Sequence, residues 1–426
     1  MSGAGYVASP WPAEDAGPRR LAAPRGVPGL GLRDGESLGC TRRRTLLSTM
    51  AVQGAPGDVY LLVHDALRAR LGLPTRARVE RIDPLTLRPL ARSPRLAGGP
   101  MWPGGLAVLR DGAPCVVYGR HAHRLDRDCR PTASRRLPEP EPYNSFVALD
   151  AGPIVTKNLS RRTRARLTVL DPTTLEPLSE DLVCDEPSVA RLSADGDTVY
   201  VIGVRSAFRL HWDPHAARLR LDDGWRVDYV GESGRTHGWD AVIDGRHAWF
   251  MDNGEHRYLS SMVGAGVGRA SNRLLRVSLA DARDRLAVEV SGLPGGSVTN
   301  PPLVEPRRRV VVGFDSANRV LRAWRFDPHG GPLVPLWRRE PFGVASHGIV
   351  YPDTGELVVN DWRRVGGESV VVLDVETGAE RARVRVGGWT QGVVFPCAGT
   401  GRDLYWSTMS MFARIHVRPA PRGDAR

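Results

Sequence analysis

The sequence predicts an all-β fold, a β-propeller built from seven or eight four-stranded blades. From residue 58 onward, a unit of about forty to sixty residues recurs: an apolar strand, a turn, a second β-rich strand and a hairpin marked by Asp. Between residues 58 and 418, no segment shows the periodicity of a long amphipathic helix. Because an isolated four-stranded sheet cannot bury both faces, such units are expected to stack radially around an axis.

The repeat is clearest near the C-terminus. HGIVYPDTGELVVNDW at 347–362 precedes SVVVLDVETGAERARVRVG at 369–387, and QGVVFPCAGTGRDLYWSTM at 391–409 repeats the first half. Opening strands are predicted to begin near residues 105, 145, 188, 239, 301, 348 and 392, whereas the second and third strands occur in eight copies. The first copy lacks an opening strand unless residues 40–52 supply it. Seven blades, one of them shared between the two termini, are favoured, and eight are the alternative.

The first 50 residues are rich in Gly, Pro, Ala and Arg and show no periodic pattern. We expect a disordered segment, or a translation start at Met50, and assign residues 51–418 to the propeller and 419–426 to a tail. TRRRTLL at 41–47 weakly resembles a twin-arginine export signal, but the apolar core that follows is too short. The five cysteines lack CxxC spacing, which fits a reducing compartment, so a cytoplasmic location is expected.

Composition restricts the expected partners. The net charge is +12, but the 59 Lys plus Arg residues are scattered through turns and surround no recognisable nucleic-acid-binding module. No apolar run is long enough to span a membrane. We therefore expect neither a nucleic acid nor a membrane as partner. A protein partner is compatible with the sequence.

The repeats resemble those of the YVTN-type, senescence-marker/gluconolactonase and quinoprotein-like propellers. The resemblance covers about 360 residues and is one of repeat pattern, not of catalytic motif. It implies that each opening strand lines a central channel. The start of that strand and the end of the second strand would then lie on the same face, where such propellers bind ligands.

Polar residues occur at both of these strand ends and form the candidate site. The candidates for proton transfer are two histidines and the only lysine of the chain: His237, His347 and Lys157. Imidazole can act as acid, base or metal ligand near neutral pH. Lys157 could hold an anion or, if desolvated, act as a base. Candidate substrate-binding residues are Tyr143, Asn158, Trp239, Asp240 and Trp362.

A divalent cation, calcium or another, is a candidate cofactor, with oxygen ligands from Asn144, Asn300, Gln391 and Asp252. The resemblance to senescence-marker propellers implies calcium, but no Glu occupies a predicted opening-strand start. Quinoproteins carry tryptophan docking repeats, and none occur at regular blade positions here. No quinone is therefore expected.

Two functions stay open at this stage. The first is an enzyme, a metal-assisted hydrolase or lyase acting on a small molecule at the mouth of the channel. The second is a non-catalytic binding or scaffold propeller, whose polar channel residues serve only to close the ring. Asp and Asn at strand ends are also common turn formers, which fits the second function.

Overall fold

The computed structural model is an eight-bladed β-propeller, and it describes residues 5–45, 47–65, 68, 71, 73–100, 103–143, 145–231, 234–257, 265–388 and 394–420. The blades are numbered along the chain, and each is an antiparallel sheet of four main strands. Second strands are buried along most of their length, as in Val310–Asp315, because they face neighbouring blades on both sides. Outermost strands such as Pro131–Arg136 are largely exposed. The all-β prediction is confirmed.

The first four blades comprise the following strands, innermost first. Blade 1 contains β2 (Ser48–Gln53), β3 (Val59–His64), β4 (Arg76–Ile82) and β5 (Pro89–Arg92), with the short β6 (Leu96–Ala97) also paired to β4. Blade 2 contains β7 (Leu106–Val108), β8 (Pro114–Tyr118), β9 (His121–Leu125) and β10 (Pro131–Arg136). Blade 3 contains β11 (Phe146–Ala148), β12 (Ile154–Lys157), β13 (Arg164–Leu170) and β14 (Leu182–Pro187). Blade 4 contains β15 (Ser193–Asp195), β16 (Thr198–Ile202), β17 (Ser206–Asp213) and β18 (Arg218–Asp228).

The remaining blades follow the same order. Blade 5 contains β19 (Val242–Ile243), β20 (His247–Met251), β23 (Arg273–Ser278) and β24 (Arg285–Glu289), and the separate pair β21 (His256–Arg257) and β22 (Ala265–Gly266) lies between its second and third strands. Blade 6 contains β25 (Leu303–Glu305), β26 (Val310–Asp315), β27 (Val320–Arg325) and β28 (Val334–Arg339). Blade 7 contains β29 (Ile349–Tyr351), β30 (Glu356–Arg363), β31 (Gly367–Asp374) and β32 (Glu380–Arg385). Blade 8 contains β33 (Cys397–Ala398), β34 (Asp403–Ser407), β35 (Met411–Arg418) and β1 (Ser37–Arg44).

The N-terminal region closes the ring. Strand β1 pairs antiparallel with β35, from Ser37 opposite Arg418 to Arg44 opposite Met411, and forms the outer edge of blade 8. Strand β2 supplies the innermost strand that the first repeat had lacked. The favoured count of seven blades was one too few. Residues 40–52 provide strands to two blades, as the alternative of eight required.

Residues 5–36, here called the plug segment, run through the centre of the ring. Main-chain N–H groups of the innermost strands in blades 1, 2, 4, 5 and 7 donate to carbonyl oxygens of this segment. These hydrogen bonds join Gln53 to Trp11, Val108 to Pro12, Ala194 to Pro18, Ile243 to Arg19, and Val350 to Ala22, at 2.8–2.9 Å. The plug segment thus replaces the water that would otherwise solvate these strand edges.

The expectation of a disordered N-terminus is wrong for residues 5–45. Trp11 and Leu30 are completely buried, and a 3₁₀ turn at Glu14–Ala16 lies within the channel. The Glu356 carboxylate accepts hydrogen bonds from the main-chain N–H groups of residues 30, 31 and 32 at 2.8–2.9 Å. Apolar periodicity could not reveal this segment, because long-range backbone contacts and buried charges order it, not an amphipathic pattern. No helix among the described residues is long and apolar enough to cross a membrane.

Candidate functional site

A cluster of six ionisable residues lies in the channel where the plug segment meets the starts of the innermost strands, here called the upper face. We call it the channel cluster: Glu14, Asp15, Arg20, Arg191, Asp240 and His347. The first three belong to the plug segment and the others to the ring. Each side chain is at most 7% exposed.

The plug arginine links the carboxylates of the cluster. Arg20 Nη2 lies 2.9 Å from Glu14 Oε2, and its Nη1 lies 3.1 Å from Asp15 Oδ2 and 3.9 Å from Asp240 Oδ2. Arg20 also donates through Nε to the carbonyl oxygen of Leu192 at 2.9 Å. One guanidinium thus joins the plug segment to blades 4 and 5.

A second arginine binds the same carboxylates from the ring. The main-chain N–H of Arg191 donates to Asp240 Oδ1 at 2.6 Å, and its Nη1 lies 3.2 Å from Asp240 Oδ2. Arg191 Nη2 donates to the Pro103 carbonyl oxygen at 2.9 Å, and the Glu14 carboxylate accepts from the N–H of Gly105 at 2.6 Å. The cluster therefore also contacts blade 2, just before its innermost strand.

Nearby charged groups offset the effect of burial on the pKa of two carboxyl groups in the cluster. Burial alone would raise the pKa of Asp15, but His347 and Arg20 together hold that pKa below its usual value. Burial opposes ionisation of Asp240 in the same way, and Arg191, Arg20 and His347 lower its pKa. Both carboxylates are therefore charged at neutral pH.

His347 and Asp15 form a buried imidazole–carboxylate pair. His347 Nδ1 lies 2.8 Å from Asp15 Oδ1, so the carboxylate fixes Nδ1 as the donor and orients the ring. Among the described residues, His347 Nε2 has no hydrogen-bond partner although it is buried. Phe395 packs on the imidazole with ring centroids 4.1 Å apart, and Arg191 lies over the same phenyl ring at 4.8 Å.

Lys157 is buried at the end of β12, with 1% of its surface exposed. Its Nζ donates to the carbonyl oxygens of Ser188 and Asn158 at 3.0 and 3.4 Å. No carboxylate of the described chain lies within ion-pair distance of it. Burial lowers the pKa of Lys157 to about 7, against a smaller opposing effect of Cys184 and Asp240. The amine thus releases its proton far more readily than an ordinary lysine does.

The second predicted histidine lies apart from the His347–Asp15 pair. His237 is 6% exposed, its Nδ1 lies 3.3 Å from the Gly238 carbonyl oxygen, and its ring meets Trp239 edge-on at 5.9 Å between centroids. Trp239 Nε1 donates to the Gly254 carbonyl oxygen at 3.1 Å. Of the predicted catalytic and substrate-binding residues, His347 and Asp240 are members of the channel cluster.

Three predicted substrate-binding residues have contacts within the blades. The Tyr143 hydroxyl accepts from the Glu139 N–H at 3.2 Å. Asn158 binds the main chain of Arg164 and Arg166 at 3.2 and 2.8 Å, which fixes the start of β13. Trp362 is partly buried on β30, and its N–H donates to the Gly343 carbonyl oxygen at 3.0 Å. These contacts support the blade structure.

Two of the four predicted metal ligands, Asp252 and Asn300, lie within the described residues, and both are hydrogen-bonded to the protein. Both Asp252 oxygens accept hydrogen bonds from Arg273, from its main-chain N–H at 2.6 Å and from Nε at 2.8 Å. Asn300 donates to the Ala345 carbonyl oxygen at 2.7 Å. Asn144 and Gln391 lie outside the described residues. Within the described residues, no group of three or more His, Cys, Asp or Glu side chains is arranged to hold a metal ion.

Arg191 and the three plug residues were absent from the sequence-based candidates, and the strand register explains why. Arg191, Asp240, His347 and Phe395 each stand two positions before the innermost strand of their blade. The sequence-based strand-start candidates in two of these blades were His237 and Gln391, which lie three and four positions before Asp240 and Phe395.

Comparisons with known proteins identify the fold but no family. No family model and no curated protein matches the sequence. Among solved structures, the chain is similar to a quinohemoprotein alcohol dehydrogenase from Comamonas testosteroni, with a TM-score of 0.63, 11% identity, and coverage of 97% of this chain and 82% of that one. It is also similar to quinohemoprotein alcohol dehydrogenase ADHIIG from Pseudomonas putida, with a TM-score of 0.62, 10% identity, and coverage of 98% and 82%.

A third similar structure is the Dos1 propeller, with a TM-score of 0.54, 10% identity, and coverage of 90% of this chain and 97% of that one. At such low identity, these similarities establish the architecture and not the chemistry. They confirm the predicted resemblance to propellers at large. The chain is a β-propeller whose central channel holds its own N-terminal segment and a buried ionic cluster.

Proposed function

We propose that the protein is an enzyme that transfers a proton to or from a small molecule bound at the upper end of the channel, as a hydrolase or a lyase. The observation that carries the proposal is the His347–Asp15 pair, with Nδ1 and Oδ1 2.8 Å apart and Nε2 without a partner in the described chain. A carboxylate on Nδ1 leaves Nε2 as the proton-accepting atom, which is the arrangement of a general base and its orienting group.

In a hydrolase reaction, Nε2 of His347 takes a proton from water while the water oxygen bonds to the acyl carbon. The departing group leaves with the electron pair of the broken bond and takes the proton from Nε2. In a lyase reaction, Nε2 takes a proton from carbon, the C–H electron pair forms the new double bond, and the leaving group departs from the neighbouring carbon with its bonding pair.

A buried lysine near the channel cluster supports an anionic substrate, since Asp240 and Arg191 of that cluster interact electrostatically with Lys157. Lys157 has three amine protons when charged and two carbonyl acceptors in the described structure, so one N–H is available to an anion. Its pKa of about 7 would also allow it to carry a second proton.

The proposal is tested by matched histidine variants assayed with aryl esters, aliphatic lactones and carbon acids bearing a β-leaving group. His347→Gln removes the base, and Asp15→Asn removes only the orienting charge. Asp15 has φ 49°, a conformation that Asn tolerates. We expect turnover to fall about 10²–10⁴-fold in His347→Gln, with a smaller loss in Asp15→Asn. His329→Gln, at an exposed turn, is the control. Equal turnover in His347→Gln and His329→Gln would contradict the assignment.

A non-catalytic binding or scaffold module is the second candidate. One observation favours it: the plug segment supplies hydrogen-bond partners for several polar groups of the channel, among them the Leu192 carbonyl, the Gly105 N–H and His347. If the native protein turns over none of these substrates and His347→Gln lowers only its melting temperature, the channel cluster serves to close the ring and this second function is correct.

A further inference from the structure

A cleft between blades 1 and 2, outside the channel, has the composition of an anion-binding site. It has a volume of about 280 Å³ and is lined by the segment before and along β6 and by residues of β9 and β10. Its polar side chains are His121, His123, Ser134, Arg135, Arg136 and Arg95. Among the described residues, no Asp or Glu lines the cleft.

Strand register places the key groups on one side of blade 2. His123 lies opposite Ser134, and His121 lies opposite Arg136, in the β9–β10 ladder. Directly opposed residues share a face of the sheet, and alternate residues along a strand do as well. The two imidazoles stack with centroids 5.9 Å apart and planes inclined by 14°. Arg95 faces them from blade 1.

The hydrogen bonds of the two histidines assign their protons. His121 Nδ1 lies 2.6 Å from the Gly98 carbonyl oxygen, which can only accept, so Nδ1 carries a hydrogen and Nε2 is the second, open position. His123 Nε2 lies 2.8 Å from the Ala97 carbonyl oxygen, and its Nδ1 accepts from the Ser134 hydroxyl at 2.8 Å. Both ring nitrogens of buried His123 are therefore engaged in hydrogen bonds, whereas His121 can gain one proton at Nε2.

Two of the three arginines that line the cleft lack a counter-ion among the described residues. Arg95 and Arg136 form no ion pair with any described residue, whereas Arg135 pairs with Glu176 on the far side of the strand. Arg95 also lines a second pocket with Arg76 and Arg78, which have no ion pair within the described chain either. Asp65, the carboxylate in that pocket, lies 3.9 Å from Arg68. The region therefore carries an excess of positive charge.

We propose that this cleft binds a phosphoryl group, as free phosphate or as the phosphate of a small ester, through Arg95 and Arg136, and that His121 takes up a proton at Nε2 on binding. Guanidinium groups bind tetrahedral oxyanions through paired N–H donors, and a protonated imidazole adds one more charged donor. The proposal does not depend on the reaction proposed for the channel.

The protonation state of the free cleft supports this coupling. Burial lowers the pKa of His121, the Gly98 carbonyl opposes that effect, and Arg136 and Arg120 lower the pKa further. Burial also lowers the pKa of His123, to about 4. Both rings are thus neutral at pH 7 in the free protein. An oxyanion bound by Arg95 and Arg136 would offset the positive charge of their guanidinium groups and would therefore favour the protonated form of His121.

Calorimetric titration with sulfate tests the site, because the charge of sulfate is constant between pH 6 and pH 8. At pH 6, Arg136→Gln should weaken sulfate binding about tenfold, since one charge-assisted donor is lost. Arg364→Gln, which removes an exposed arginine on blade 7, should leave the affinity unchanged. Absence of sulfate binding, or equal affinities in these two variants, would overturn the site.

The pH dependence of sulfate affinity tests whether His121 takes up a proton on binding. In the native protein, sulfate should bind about tenfold or more tightly at pH 6 than at pH 8, because binding and protonation are linked. His121→Gln should abolish this pH dependence and keep the affinity measured at pH 8. Unchanged pH dependence in His121→Gln would overturn the role of His121. Titrations at pH 8 with inorganic phosphate and with glycerol phosphate distinguish the free ion from the ester.

Discussion

At the scale of single residues, the channel depends on buried charges whose partners lie far apart in sequence. Asp15 and His347 are separated by 332 positions, and Arg20 and Leu192 by 172. Replacing one member of a buried ion pair leaves the other uncompensated, which costs about 3–5 kcal/mol. The cluster therefore fixes the plug segment in one position, whatever chemistry the site performs.

Lys157 allows a direct test at this scale, because it is the only lysine in the chain. Protein carrying ¹³C-labelled lysine should give a single side-chain resonance that titrates near pH 7, not near the ordinary 10.5. The folded state disfavours the protonated amine, whereas the unfolded chain keeps its proton up to about pH 10. Stability should therefore rise as the pH increases from 7 to 10.

The size of that effect is measured by urea unfolding of the native protein and Lys157→Met. The native protein should gain about 2–3 kcal/mol relative to the variant between pH 7 and pH 9. Lys157→Arg is the matched comparison, since its guanidinium stays charged throughout this range. A constant difference between the native protein and Lys157→Met would contradict the lowered pKa.

Sequence reasoning at the residue scale named two members of the channel cluster, His347 and Asp240. His347 was named because a polar residue at a strand start stands out within apolar repeats, and Asp240 because it lies near the predicted channel mouth. Asp252 and Asn158 had the same appearance in the sequence, but each binds main-chain groups beside its own strand. A polar residue that stabilises a turn and one that faces a ligand look alike until their partners are known.

At the scale of elements, Glu356 at the start of β30 anchors the plug segment. Its carboxylate accepts three consecutive main-chain N–H groups of residues 30–32 and the Thr354 hydroxyl. Glu356→Gln places an amide N–H₂ against at least one of these donors, and we expect a loss of about 1–3 kcal/mol. Hydrogen exchange should then become about tenfold or more faster at residues 30–32.

The control for that experiment is Glu380→Gln, a carboxylate on the outer strand of blade 7 that pairs with Arg383 and Arg339. It should leave exchange at residues 30–32 unchanged. Equal exchange rates in Glu356→Gln and in the native protein would show that other contacts hold the plug segment.

Two strands, β1 and β2, could not be assigned from local sequence patterns. All six residues of β2 are buried, so the strand lacks the inside–outside alternation that identifies half-exposed strands. Strand β1 ends in the polar sequence TRRR, and it joins blade 8 by pairing with β35. Local patterns revealed the middle strands of each blade. By contrast, β1 depends on β35 near the opposite end of the chain, and β2, although it pairs with the neighbouring β3, lacks the alternation that marks a strand.

At the scale of the whole molecule, ring closure by β1 predicts distinct effects of two N-terminal deletions. Removing residues 1–36 takes away the plug segment but keeps β1. Removing residues 1–45 also exposes the edge of β35, an eight-residue strand with unpaired main-chain groups. We expect the longer deletion to melt about 5 °C or more below the shorter one and to self-associate, because open strand edges pair with each other.

Calorimetry and size-exclusion chromatography with light scattering measure both effects. Two monomeric variants with the same melting temperature would show that blade 8 does not need its outermost strand. A chain beginning at Met50 would lack the outermost strand of blade 8 and every plug residue of the channel cluster.

The closure of blade 8 also sets an order of events during biosynthesis. The first 45 residues leave the ribosome well before β35, the strand that β1 must join, has been made. Since domains ordered from the N-terminus onward usually begin to fold during synthesis, this nascent chain must keep its earliest segment unpaired until its latest one emerges. The beginning of the polypeptide is thus among the last parts to reach its final place.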